Sequence, residues 1–111
     1  MAYMKGGSRA GSDALNNASK TILKAEGFGE KSLAVHPAAK ITAVNVTGGT
    51  TTDTTVKFYK GTSLIKTITS DTGVINDTAP GITLEKHGVN KVVLGTTGDH
   101  TLSWSLTYEA I

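Results

Sequence analysis

The chain has no cysteine, which excludes disulfides and thiolate metal sites outright and leaves its redox compartment unread. It has two prolines, and aromatic residues make up 5% of its 111 residues. Exposed aromatic platforms for stacking a sugar are therefore scarce. Purely apolar runs stop at three or four residues, too short for a transmembrane helix, so no membrane partner is expected. The opening MAYMKGGSRAGSD lacks the apolar stretch of a secretory signal, and export is not expected. Basic residues are too few and too scattered for a nucleic-acid footprint: residues 1–40 carry a net +3 and residues 41–111 a net −1. The basic front suits an arm lying on an acidic protein surface, or equally a solvated tail.

Catalytic constellations are also missing. His36, His87 and His100 have no metal-ligand spacing to another His, Asp or Glu, and they read as turn residues. Asp99 and His100 are adjacent, which places them on opposite faces of a strand. No Gly-x-Ser-x-Gly elbow occurs, and Gly6-Gly7-Ser8-Arg9 follows no strand and precedes no Gly-Lys-Ser/Thr, so it is linker rather than phosphate loop. No enzyme activity, cofactor or metal is expected.

Threonine and glycine dominate instead, at 18 and 13 residues, favouring short strands joined by tight turns. The clearest stretch is His100–Tyr108, HTLSWSLTY. Leu102, Trp104, Leu106 and Tyr108 alternate with Thr101, Ser103, Ser105 and Thr107, a strand with one large apolar face and one small neutral face. The apolar face belongs in the core. The neutral face lacks the Lys or Glu that often guards an exposed strand, so it suits a partner subunit or ordinary threonine-rich solvent exposure.

Further strands are expected at 19–24, 40–47, 54–60, 64–69, 82–86 and 89–94, with a short one starting at Val74-Ile75. Turns fall at Gly48-Gly49-Thr50, Gly61-Thr62-Ser63, Asp71-Thr72-Gly73, Ala79-Pro80-Gly81 and His87-Gly88, and a loop at 95–99. Within 40–47 the alternation places Thr42, Val44 and Val46 on one face and Ile41, Ala43 and Asn45 on the other. Residues 31–39 are open between a strand broken at Pro37 and a helical turn. Turn signals every eight to twelve residues point to an all-β, antiparallel β-sandwich or barrel. Residues 1–18 have linker composition, so the expected plan is a flexible N-terminal arm (1–18) and a β-sandwich domain (19–111).

The stretch from about Val56 to Glu109 carries a resemblance. It runs VKFYKGTSLIKTI, a turn, then TAPGITLEKHGVNKVVLGTTGDHTLSWSLTYE. It resembles the small capsid decoration (cement or staple) proteins of tailed bacteriophages, and the size and arm-plus-sandwich plan are similar to the staple proteins of epsilon-fifteen-type short-tailed phages. The resemblance implies a jelly-roll-like sandwich on the outer surface of a virion, bound to a major capsid protein between capsomers and often homodimeric. It implies no catalytic residues. The candidate partner-binding residues are Tyr3, Lys5 and Arg9 of the arm and Thr101, Ser103, Ser105 and Thr107 of the last strand. The alternative function is a carbohydrate- or receptor-binding module of a fibre or adhesin, which needs exposed aromatics. Deleting residues 1–18 is expected to leave the sandwich folded and to weaken attachment.

Overall fold

The computed structural model describes residues 6–24, 38–85, 89 and 91–110, among which there is no helix. The strands are β1 (Gly6–Lys24), β2 (Ala38–Thr47), β3 (Thr54–Lys60), β4 (Ser63–Thr69), β5 (Ile75–Asp77), β6 (Ile82–Glu85) and β7 (Lys91–Ala110). All pairings between them are antiparallel. They form one seven-stranded sheet in the order β4-β3-β7-β2-β5, with β1 on β7 and β6 on β2. The all-β, antiparallel, sandwich-like fold expected from the sequence is what the structure has.

β7 organises the molecule. Its one edge pairs with β1 along almost its whole length. The opposite edge is shared: Lys91–Thr96 pairs with β3, and Ser103–Ala110 pairs with β2. Laid straight at about 3.3 Å per residue, a strand of 20 residues would span roughly 65 Å. The longest dimension of the molecule is 42 Å, so β7 must bend. Bending folds the sheet over a single core that includes Val92, Leu94, Leu102, Trp104 and Leu106 from β7, Val44 and Val46 from β2, and Val56 and Phe58 from β3.

Two sequence expectations change here. The loop at 95–99 is strand, because Gly95, Thr96 and Asp99 pair with Ser19, Ala18 and Asn16 of β1. The even-numbered residues from Val92 to Leu106 are all buried or half-buried, so the inward phase crosses this stretch. The expected boundary at residue 18 falls inside β1. Residues 6–18, given linker composition by Gly, Ser and Asn, are strand from Gly6 onward. Tertiary pairing with β7 overrides their weak intrinsic preference. Residues 1–5 lie outside the described residues.

Bulges reset which face is inward. β1 has register shifts between Asn16 and Ala18 and between Thr21 and Leu23. Asn17 sits at φ 45, a backbone that Asn tolerates better than most residues. After the first shift Ala18 and Lys20, both exposed, take the face that Gly11, Asp13 and Leu15 hold before it. The second buries both Ile22 and Leu23. In β2 a shift between Ile41 and Ala43 places Ile41 in the core with Val44 and Val46, correcting the uninterrupted alternation expected for 40–47.

Candidate functional site: an uncharged outer face and two polar clusters

Trp104 shows how small and large residues were matched across the sheet. It lies opposite Gly11 of β1 and Val46 of β2. A Cβ at position 11 would lie 2.8 Å from the indole ring, so only glycine leaves room for it. Trp104 is 9% exposed, and its Nε1–H donates to Asp13 Oδ2 at 2.8 Å. Lys20 Nζ donates to Asp13 Oδ1 at 2.6 Å. The Lys20 ammonium, with help from the indole N–H, holds the Asp13 carboxyl below its ordinary range. The register shift at Asn17 brings Asp13 and Lys20, an odd number of residues apart, onto one face.

A second cluster fills the gap where β2 has left β7 and β3 has not yet joined it. The loop between β2 and β3 covers this gap. Gly48, at φ +104, passes so close to the Thr101 carbonyl that a side chain there would collide with it. The Asp53 carbonyl accepts from Thr97 N–H at 2.9 Å. Asp53 Oδ2 meets His100 Nε2 at 2.6 Å, with both side chains less than one-fifth exposed. Asp53 also accepts from Thr50 N–H, Thr50 Oγ1–H and Thr54 Oγ1–H at 3.1, 3.0 and 3.2 Å. Partial burial acts to raise the Asp53 pKa, but the bonds from His100, Thr50 and Thr54 together outweigh it and bring the value down to about 2.

This Asp–His–Thr group is not arranged for nucleophilic catalysis. Such a relay needs the carboxylate on one imidazole nitrogen and the hydroxyl on the other. Here Asp53 meets Nε2 at 2.6 Å, and Thr50 Oγ1 approaches that same nitrogen at 3.5 Å. The cluster pins the loop to the bend. The sequence puts His100 at the turn that opens the last expected strand; it lies well inside β7, and its partner is 47 positions away. His36 and His87 lie outside the described residues. Among the described residues no group of three or more His, Cys, Asp or Glu could hold a metal ion.

The most extensive feature is the outer face of the sheet around the C-terminal half of β7. Thr101, Ser103 and Thr107 are exposed and Ser105 is half-buried. The register extends this row sideways. Ser8, Ala10, Ser12 and Ala14 of β1 stand opposite Thr107, Ser105, Ser103 and Thr101. On the other flank, Ala43, Asn45 and Thr47 of β2 stand opposite Thr107, Ser105 and Ser103, and Asn76 of β5 opposite Asn45. Every residue of this block is small or amide and none is charged. Charge begins at its ends, with Lys40 opposite Glu109 at one and Asp99 opposite Asn16 at the other. Arg9 is exposed on β1, whereas Tyr3 and Lys5 lie outside the described residues. Of the aromatic rings outside the alternating face of β7 that could stack on a sugar, Tyr3 and Phe28 lie outside the described residues. Tyr59 is half-buried, with Lys91 Nζ 4.7 Å from its ring centroid.

No protein-family profile and no curated protein matches the chain. A solved structure does. It is similar to a chain of the Bacillus endospore appendages, which form a novel family of disulfide-linked pili. The TM-score is 0.58 and the identity 16%, over 97% of this chain and 88% of that one. At this identity the likeness is one of fold.

Proposed function

We propose that this chain is a non-enzymatic structural subunit that works by associating with copies of itself in a larger assembly. The observation that carries this reading is the uncharged outer face spanning β1, β7, β2 and β5. Burying such a face strips water from few strong polar groups and leaves no unpaired charge, and each hydroxyl is both donor and acceptor. The fold shared with a pilus chain supports the reading. With no cysteine among its 111 residues, this chain would be held in its assembly without disulfides, unlike disulfide-linked pili.

A second reading, decoration of an icosahedral phage capsid, rests on the sequence resemblance over Val56–Glu109 and uses the same face against a major capsid protein. The carbohydrate-binding alternative loses its best platform, because Trp104 is buried against Gly11. Sedimentation separates the first two. Oligomers or filaments formed by the purified protein alone support self-assembly. Co-migration with a particle of capsid size from the native source, at fixed copy number, supports decoration. A monomer that joins no particle at any concentration would overturn both.

A further inference from the structure

The edge of β1 that faces away from β7 pairs with no strand among the described residues, over all 19 residues from Gly6 to Lys24. Long edges are ordinarily blunted by proline, by charge or by bulges. β1 contains no proline, both register shifts of its ladder lie beyond Asn16, and the only charges before that point are Arg9 and Asp13. From Gly6 to Asn16 the ladder with β7 is unbroken, which leaves an edge with neither proline nor register shift and, among the described residues, no covering strand.

We propose that this half of β1 pairs antiparallel with the same segment of a second copy, about a two-fold axis through Gly11. The inference rests on the self-association reading and adds an edge contact distinct from the outer face. The charges select the register. In a symmetric antiparallel pair, residues facing each other have a constant sum, and keeping the two inner faces on one side requires that sum to be even. Centring on Gly11 sets Arg9 of each copy opposite Asp13 of the other. Centring on Ala10 faces Arg9 with Gly11, and centring on Ser12 faces it with Leu15. Only the Gly11 register makes the edge complementary to itself, twice over. Arg9 is exposed and has no ion-pair partner among the described residues.

The surroundings can receive the incoming side chain. An open groove of about 360 Å³ follows the inner side of this edge, lined by Arg9, Gly11, Asp13, Lys20 and Trp104. Both Asp13 oxygens already accept one hydrogen bond each, from Lys20 and Trp104, and each keeps a lone pair free. Pairing also sets the two uncharged outer faces side by side as one continuous surface.

The absence of native cysteine makes the register directly readable. Single variants Ala10→Cys and Ser12→Cys would be mixed under mild oxidation. Directly opposed Cβ atoms lie about 4.5–5.5 Å apart, close to what a disulfide spans. The mixture is expected to form mainly the 10–12 cross-link, and Ser8→Cys with Ala14→Cys the 8–14 cross-link. Arg9→Asp should raise the dimer dissociation constant about tenfold, since two symmetric pairs turn from attraction to repulsion. If sedimentation shows self-association but the cross-links fail while Ile65→Cys on the β4 edge links readily, the β1 contact is overturned and self-assembly stands. A protein that stays monomeric overturns both.

Discussion

Gly11 and Trp104 carry much of the fold's specificity between them. A methyl group at position 11 meets the indole at 2.8 Å, so Gly11→Ala must push a buried ring off its site. Overpacking of this kind costs about 1–3 kcal/mol and should appear as a lower midpoint in thermal unfolding. Trp104→Phe keeps most of the apolar area but removes the donor to Asp13. Its expected cost is about 1 kcal/mol, read in the same way. Asp53 makes an acid-sensitive contact. Its folded pKa of about 2 lies below the ordinary aspartate value of 3.8, so the stability it contributes is complete above roughly 3.8 and is lost as pH falls toward 2. Asp53→Asn should therefore lower stability at neutral pH and flatten the acid limb of a stability–pH profile between about 4 and 2. Burial of Trp104 was legible from its alternation with Leu102 and Leu106. The Asp53–His100 pair was not, because nothing local marks a contact between residues 47 positions apart.

At the scale of elements, β1 and β7 form the frame on which shorter strands are hung. β1 contributes Leu15, Ile22 and Leu23 to the core and covers one whole edge of β7. Deleting residues 6–18 would bare that edge and leave the indole of Trp104 uncovered and without its acceptor. The expected result is loss of cooperative unfolding, monitored by near-ultraviolet circular dichroism. Survival of a cooperative transition would restore the reading of this segment as a detachable arm. The short hairpins were readable because glycine and proline punctuate them: the turn at Gly61-Thr62 joins β3 to β4, and Pro80-Gly81 precedes β6. The length of β1 was hidden because Gly6, Gly7, Gly11 and the paired Asn16-Asn17 are poor strand formers taken alone. β7 looked like two strands because GTTGD has turn composition, although the alternating phase crosses it unchanged.

For the whole molecule, the distribution of charge matters more than its sum. A net charge of +2 says nothing of where charges lie, whereas the register collects a block without charge on one outer face. Ser103→Lys, placed mid-face on an exposed position, should leave folding stability within about 0.5 kcal/mol. It should abolish assembly or particle attachment, because each buried contact would then hold an unpaired ammonium. Unchanged assembly by this variant would move the contact surface away from the face.

The sequence by itself determined the all-β class, the alternating strand that carries Trp104, most of the turns, and the absence of any thiol chemistry. These follow from local rules: side chains alternate along a strand, glycine and proline punctuate it, and a missing residue type supplies no chemistry. Tertiary structure decided the extent of β1, the continuity of β7, the inward turn of Ile41, the Asp53–His100 contact and the sideways extension of Thr101, Ser103, Ser105 and Thr107 into a broad neutral face. Each of these depends on which strands lie side by side and where bulges shift their register, and long-range pairing sets both.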